Sequence, residues 1–132
     1  MNSMRILDTN IVSYSHKRDP LEKRYFRHIV GRPLAISFQT LGELKEWAFE
    51  SGWGSARKAR FEAFLEQYTV LESDPLVVDL WARIRVERRR QPIGVADCWI
   101  AATALAYQLE LVTHNPADFA GITGLTVVSE SP

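Results

Sequence analysis

The sequence predicts an α/β fold, in which a mostly parallel sheet of four or five strands is covered by helices on both faces. Short β-branched segments alternate with longer segments of helical periodicity along the 132 residues, and this alternation builds βα units and parallel sheets. Residues that start helices stand where the helical segments begin. No repeat and no Gly/Ser/Pro-rich linker divides the chain, and its length fits one domain spanning residues 1–132.

The predicted strands are short and rich in aliphatic and β-branched residues, as buried parallel strands are. In chain order they cover residues 4–7, 34–36, 69–71, 111–113 and 125–128. Ligand crevices in such sheets lie beyond the carboxyl ends of the strands. Polar residues that directly follow a strand are therefore the first candidates for a functional site.

Most of the predicted helices begin at a recognisable capping residue. The helices cover residues 10–17, 21–31, 38–50, 55–67, 75–90 and 95–109. Their predicted starts include Asn10, the Asp19-Pro20 pair, Ser37 and the Asp74-Pro75 pair. The fifth helix closes in the basic run 88–90, where positive side chains suit the negative end of the helix dipole.

Composition excludes several classes of protein. The chain has 16 basic and 16 acidic residues and 46% hydrophobic residues, which argues against a disordered chain and against a strongly basic nucleic-acid coat. Its single cysteine, Cys98, permits no internal disulfide and indicates a reducing compartment. The sequence contains no apolar run of membrane-spanning length and no signal-peptide pattern. We therefore predict a cytoplasmic domain with no membrane association.

Acidic and amide side chains recur at the predicted strand exits and helix starts. Asp8 follows the first strand in LDTN, Glu43 lies in TLGEL, and Asp97 lies in VADCWIAATAL. Asn115 and Asp118 follow the fourth strand in THNPADF. Each also has an ordinary structural interpretation: Asp8 as a cap or turn acid, Asp97 as a first-turn helix acid, and Glu43 as a solvent-exposed side chain.

Together these carboxylates indicate a metal site. Two carboxylates about 4 Å apart repel by roughly 4 kcal/mol at an effective dielectric near 20, so a cluster raises its own pKa values or binds a cation. Oxygen ligands without paired cysteines or histidines favour Mg²⁺ or Mn²⁺. Such metal sites activate water for the hydrolysis of phosphate esters.

The ordered set of these motifs resembles a PIN domain, and most closely the VapC-type toxins of bacterial toxin–antitoxin pairs. The resemblance rests on LDTN, the GEL glutamate and D-x-x-I-A-A followed by LVTHNPADF, and it covers nearly the whole chain. It implies a three-layer α/β/α sandwich and a Mg²⁺- or Mn²⁺-dependent endoribonuclease that leaves a 5′-phosphate and a 3′-hydroxyl. It also implies a VapB-like antitoxin partner and a homodimer.

The resemblance also implies roles for individual acids. Asp8 and Asp97 are the expected principal metal ligands, and Glu43 completes the acidic triad, either as a ligand or by orienting the nucleophilic water. The family's fourth acid commonly stands where this chain has Asn115. Either the Asn115 amide serves in its place or Asp118 contributes instead.

Three polar residues beside these acids are expected hydrogen-bond partners that orient the carboxylates. They are Thr9, Asn10 and Thr113, and such partners matter because they fix the ligand geometry. His114, beside the predicted site, is a candidate phosphate contact or acid. Cys98 is interpreted as a small core residue rather than a nucleophile.

Two other functions stay open from the sequence. A PIN-like scaffold that only binds RNA or a protein is favoured by Asn115 at the fourth acidic position. An aspartyl-phosphate phosphohydrolase would use Asp8 as the nucleophile, but the D-x-D-x-T pattern of the dehalogenase-like phosphatases is replaced here by Asp8-Thr9-Asn10.

Two surface features also have alternative interpretations. The basic side chains could bind RNA phosphates or could simply be solvated; they are Lys23, Arg24, Arg27, Arg83, Arg85 and Arg88–Arg90. Trp47, Phe49 and Trp53 are too widely spread around their helix end to face one core, so they form either a partner groove or ordinary packing.

Overall fold

A computed structural model describes residues 3–131 and contains a five-stranded sheet within them, so the first two residues and the last of the predicted domain lie outside the described part. The strands are β1 (Arg5–Leu7), β2 (Leu34–Ser37), β3 (Thr69–Leu71), β4 (Glu110–Val112) and β5 (Val127–Val128). Their order in the sheet is β3-β2-β1-β4-β5, and every pair is parallel. The predicted fold class is confirmed, with a sheet that is wholly rather than mostly parallel.

Six α-helices and one short 3-10 helix connect the strands of the described chain. The α-helices are α1 (Thr9–Lys17), α2 (Leu21–Ile29), α3 (Phe38–Glu50), α4 (Ser55–Leu65), α5 (Pro75–Glu87) and α6 (Val95–Ala106). The 3-10 helix, Pro116–Phe119, follows β4. Within residues 3–131, no helix combines the length and the apolar character needed to cross a bilayer.

Alternate residues of β1 face two separate cores, because successive side chains of a strand point to opposite faces. Ile6 is buried in one core, with side chains from α5 and α6, and Leu7 is buried in the other, with side chains from α1, α2 and α4. The sheet is therefore the middle of three layers. Burial on both faces explains why the strand centres are apolar on both faces rather than alternating.

The chain reverses direction across the sheet between β1 and β4. It runs outward from β1 through β2 to β3, and then crosses to β4 on the other side of β1. Such a topological switch point leaves a crevice at the carboxyl ends of the two strands. The residues that follow Leu7 and Val112 line this crevice.

Of the four predicted helix starts, two are confirmed, one is wrong and one shifts. In α2 the N-cap is Pro20 rather than Asp19, although Asp19 Oδ1 accepts a hydrogen bond from the Leu21 amide at 2.9 Å. Ser37 Oγ accepts a hydrogen bond from the Thr40 amide at 3.1 Å, and Asp74 Oδ1 accepts one from the Val77 amide at 2.9 Å. Asn10 is not the cap of α1, because the helix already begins at Thr9 and Asp8 is its N-cap. No loop separates β1 from α1, so one residue both ends the strand and caps the helix.

Several predicted boundaries shift by a few residues. Helix α6 ends at Ala106 rather than near Leu109, because Gln108 adopts a left-handed backbone conformation with φ of 56°. Strand β5 keeps only Val127 and Val128 of its predicted four residues. Its length is set by pairing with β4, which contributes only Leu111 and Val112 to the register.

Candidate active site

Asp8 is the buried centre of the crevice, with 6% of its surface exposed. Its Oδ1 accepts a hydrogen bond from the Thr9 amide at 2.7 Å, as the cap of α1. Its Oδ2 accepts one from the Thr113 hydroxyl at 2.7 Å. Because Thr113 directly follows β4, this carboxylate joins the two strands on either side of the switch point.

Thr9 brings the side chain of Glu43 to the same edge. The Thr9 hydroxyl lies 2.9 Å from Glu43 Oε1 and 3.0 Å from the hydroxyl of Thr40, which is fully buried. Thr40 and Glu43 lie one turn apart on α3 and so share a face of that helix. The interpretation of Glu43 as a solvent-exposed side chain is therefore wrong: it is half-buried and held by Thr9.

Asp97 lies in the first turn of α6, where its carboxylate is half-buried. Burial, reinforced by the charges of Asp8, Asp118 and Glu43, raises the pKa of Asp97 to about 6. Three acids that are remote from Asp97 along the chain thus act on its carboxylate.

Burial also raises the pKa of Asp8, and the charges of Glu43 and Asp118 add to this effect. The hydrogen bonds from Thr113 and Thr9 oppose it, because they stabilise the ionised carboxylate. The hydrogen-bond donors around Asp8 therefore favour its charged form, which burial and the neighbouring acids disfavour.

The segment after β4 is fixed to Asp8 through backbone groups. The Asn115 amide donates to the Thr113 hydroxyl at 3.0 Å, and the Asp118 amide donates to the Asn115 carbonyl at 3.1 Å. Asn10 contacts this segment rather than the carboxylates: its Oδ1 accepts a hydrogen bond of 3.5 Å from the His114 amide. The side chains of Asn115 and Asp118 are both exposed.

The carboxylates of this site have no basic partner within residues 3–131. The ion pairs there are Arg5–Glu110, Arg27–Glu130, His28–Glu130 and Lys45–Glu62. In the same residues, no three His, Cys, Asp or Glu side chains are already arranged around a single point that could hold a metal ion. The acids therefore lie in the same region of the protein. At most two of them are positioned to bind one ion directly.

Several arginines from the sequence analysis bind backbone carbonyls of the protein itself. Arg88 Nη1 donates to the carbonyls of Asp118 at 3.1 Å and Ala120 at 2.8 Å, so it holds the 3-10 helix in place. Arg83 donates to the Thr123 carbonyl and Arg85 to the Ile93 carbonyl. The sequence offered no signal for these contacts, because each joins a helix to a loop that folds against it.

His114 and Cys98 pack as structural residues of the fold. The imidazole Nδ1 of His114 is hydrogen-bonded to the buried Tyr25 hydroxyl, and the ring packs edge-on against Tyr14 and Tyr25. Cys98 is fully buried, and burial raises the pKa of its thiol to about 11. A protonated, enclosed thiol fits the predicted core role and not that of a nucleophile.

Arg27, another basic residue that the sequence offered for RNA binding, forms an ion pair with Glu130 at 2.6 Å.

The fold and the acidic crevice define a class of protein. It is a doubly wound, three-layer α/β/α domain with an acidic crevice at the switch point of a parallel sheet. The family model of the PIN domain matches residues 5–125. The chain belongs to the PIN-domain family.

Its relatives within that family carry the name VapC. Ribonuclease VapC1 of Haemophilus influenzae (strain R2866) is 34% identical over 125 residues, covering 91% of this chain and 92% of that protein. The tRNA(fMet)-specific endonuclease VapC of Shigella flexneri is 33% identical over 122 residues, with the same coverage. A chain in the structure of VapBC-1 from nontypeable Haemophilus influenzae superposes with a TM-score of 0.79 at 30% identity, covering 96% of this chain and 97% of that chain.

Proposed function

We propose that this protein is a VapC-type endoribonuclease, the toxin of a toxin–antitoxin pair, and that it hydrolyses RNA phosphodiesters with Mg²⁺ or Mn²⁺. The observation that carries the proposal is the uncompensated charge at the switch point. The charges of Glu43 and Asp118 act on both Asp8 and Asp97, and none of these four acids has a basic partner in the described chain. A divalent cation is the simplest species that removes this repulsion.

The donor set fits a hard cation. It offers carboxylate oxygens alone, the ligands that Mg²⁺ and Mn²⁺ prefer. Asp8 and Asp97 would hold the ion, and Glu43 would bind it or orient water beside it. Mg²⁺ usually keeps several of its waters and takes only one or two protein carboxylates, so a group of three direct ligands is not required. The ion would supply an activated water and neutralise charge on the phosphate.

The chain's own residues prepare this site by holding the carboxylates ionised and oriented. Thr113 and the Thr9 amide each bind one oxygen of Asp8, which leaves its remaining lone pairs free for a ligand. The Thr9 hydroxyl, on α1, likewise binds one carboxylate oxygen of Glu43, on α3. Asp118 would fill the fourth acidic position, because its charge acts on both Asp8 and Asp97, while the backbone carbonyl of Asn115 accepts a hydrogen bond from its backbone amide.

Names of the relatives suggest the first substrate and partner to test. The Shigella flexneri relative is named for cleavage of tRNA(fMet), so initiator tRNA is the first RNA to assay. The VapBC-1 structure suggests a VapB-like antitoxin as the protein partner. We further propose that residues 1–132 act as one domain in the cytoplasm, where RNA is available. A homodimer stays a prediction from the family resemblance.

The decisive variant is Asp97→Asn, which removes a charge and changes no side-chain volume. We expect loss of RNA cleavage by more than about a hundredfold, because a central carboxylate is lost. Mn²⁺ should raise the melting temperature of the unsubstituted protein and not that of the variant, since a ligand that binds only the folded state stabilises it. Asp79→Asn is the matched control, because Asp79 is an exposed acid on α5, outside the site.

A scaffold that only binds RNA or protein is the second candidate, and the absence of a preassembled group of three metal-binding side chains within residues 3–131 favours it. The two functions separate in the same experiment. Wild-type protein that neither binds Mn²⁺ nor cleaves RNA would establish the scaffold. Cleavage by Asp97→Asn at the rate of Asp79→Asn would refute the assignment of the site.

A further inference from the structure

A basic cavity lies beside the acidic crevice, between the last turn of α5 and the segment that leads into α6. Its volume is about 370 Å³, and it is lined by Arg85, Val86, Arg88, Arg89, Pro92 and Ile93. Three of these six residues carry a guanidinium group. We call this feature the arginine cavity.

The arginine cavity adjoins the acidic crevice on two sides. On one side, Arg88 binds the backbone carbonyls of Asp118 and Ala120. On the other side, Ile93 leads into Gly94, where a Cβ atom would lie only 3.7 Å from Asp97 Oδ2. The arginine cavity therefore lies next to the segments that carry Asp118 and Asp97.

Two of the three arginines are held in place by the protein. Arg85 donates to the Ile93 carbonyl at 3.2 Å and lies over the ring of Trp81. Arg88 donates to the Gln91 carbonyl as well as to its two partners in the 3-10 segment. These two guanidinium groups therefore keep their positive charge at the wall of the cavity, beside the side chain of Arg89.

Arg89 is the arginine whose charge is available. It is exposed, and its side chain has no hydrogen-bond or ion-pair partner within residues 3–131. The nearby acid, Glu87, is already bound by the amide and hydroxyl of Thr123, at 2.9 Å and 2.8 Å. The Glu87 carboxylate is thus held at Thr123, and it forms no ion pair with Arg89.

We propose that the arginine cavity binds a backbone phosphate of the RNA, one that flanks the phosphodiester cleaved at the carboxylates. This inference rests on the proposed function. An RNA approaching four clustered acids meets repulsion, and the chain as a whole carries no net positive charge to offset it. A positive site beside the acids supplies local attraction and places the strand in register. Arg89 makes the phosphate contact, and Arg88 is a positioning residue that holds the 3-10 segment.

The test compares Arg89→Ala with Arg90→Ala. Both arginines are exposed neighbours in the same basic run, but only Arg89 lines the cavity. The affinity of each variant for a short single-stranded RNA oligonucleotide is measured in the Asp97→Asn background, so that no cleavage occurs. We expect Arg89→Ala to weaken binding about three- to tenfold and to reduce the slope of log affinity against log salt by about 0.7. Arg90→Ala should change the affinity less than about twofold.

Kinetics and rescue complete the test in the cleaving protein. Loss of a phosphate contact remote from the reacting bond raises KM more than it lowers kcat. Arg89→Lys should recover most of the affinity, because a phosphate contact mainly needs positive charge. Arg88→Ala should instead lower kcat, because it releases the segment that carries Asp118.

The outcomes separate this inference from the proposed function. RNA cleavage with equal effects of Arg89→Ala and Arg90→Ala would overturn the phosphate site and leave the nuclease intact. RNA binding that depends on Arg89 in a protein that cleaves nothing would support the phosphate site and refute the nuclease. RNA affinity unchanged by Arg89→Ala overturns the inference even if the cavity binds an acidic peptide instead.

Discussion

Helices α1 and α3 each begin in one kind of environment and end in another. Near their N-termini, Thr9 and Thr40 belong to the polar, charged edge of the sheet. Near their C-termini, His16 and Trp47 pack against each other with ring centroids 5.6 Å apart. The same two helices thus join the acidic crevice to a second region, which we call the aromatic cluster and define as His16, Trp47, Trp53, Phe61 and Phe64.

The aromatic cluster is held together by close ring contacts. Phe61 is at its centre, with 1% of its surface exposed and ring centroids 4.9 Å from His16 and 5.3 Å from Trp53. Arg57 lies over the Trp53 ring at 4.2 Å, a favourable cation–π contact. Trp47 and Trp53 therefore pack as ordinary structure, whereas Phe49 points outward and is 76% exposed. The prediction that these three could not all face one core is confirmed.

The aromatic cluster stabilises the fold, and the acidic crevice destabilises it. Edge-to-face aromatic pairs add to the free energy gained from burial. Within the cluster, only the partial burial of the His16 imidazole opposes this gain. The acidic crevice instead brings like charges together around a buried carboxylate, which is unfavourable without a cation. Substitutions in the cluster should therefore affect stability, and substitutions in the crevice should affect activity.

The largest expected effect on stability is that of Phe61→Ala. Removing a buried phenyl ring leaves a cavity and should lower the free energy of unfolding by about 3–5 kcal/mol, measured by urea denaturation. Phe49→Ala is the matched control and should change it by less than about 0.5 kcal/mol, because that ring is exposed. The RNA cleavage rate per folded molecule should be the same in both variants. A large loss of stability in Phe49→Ala would contradict the division into two regions.

The pH dependence of stability should have opposite signs in the two regions when metal is absent. The pKa of Asp97 is raised from 3.8 to about 6, so folded protein binds more protons than unfolded protein in this range. Stability contributed by the protonated acid is present below pH 4 and is lost as the pH rises to about 6. The loss is at most about 3 kcal/mol. Burial lowers the pKa of His16, so stability there is lost as the pH falls below 6.5.

Urea denaturation from pH 4 to pH 8 in the presence of a chelator measures both effects. Asp97→Asn should be more stable than the unsubstituted protein at pH 8 and similar to it at pH 4. His16→Gln should reduce the loss of stability on the acidic side of pH 6.5 and leave the Asp97 effect in place. A difference between Asp97→Asn and the unsubstituted protein that is the same at every pH would show that the charge of Asp97 costs nothing.

Local signals in the sequence were sufficient for the elements and for the choice of candidate site residues. Ser37 and Asp74 were recognisable as caps because a cap depends on neighbours three residues away. Asp8 was a candidate because it directly follows the first predicted strand. The strand–helix alternation predicted a parallel sheet but not the order of its strands.

Contacts between distant segments were beyond sequence reasoning. The pairing of Arg88 with the Asp118 carbonyl spans 30 residues, and it depends on how a 3-10 helix settles against α5. The inward orientation of Glu43 depends on Thr9, 34 residues earlier, and no periodicity of α3 reveals it. The same limit explains the error at Asn10, whose amide group was assigned to a cap that Asp8 already provides.

The smallest effect we predict distinguishes a hydroxyl in the acidic crevice from an equivalent one elsewhere. Thr9→Val replaces the hydroxyl that binds Glu43 at 2.9 Å, and Thr123→Val replaces one that binds Glu87 at 2.8 Å. Each substitution should lower the free energy of unfolding by only about 1 kcal/mol, the net value of one hydrogen bond. Only Thr9→Val should raise the Mn²⁺ concentration needed for half-maximal stabilisation, by about tenfold, because partners of metal ligands tune affinity on that scale. Equal Mn²⁺ midpoints in the two variants would place Glu43 outside the metal site, and the acidic crevice would then depend on Asp8, Asp97 and Asp118 alone.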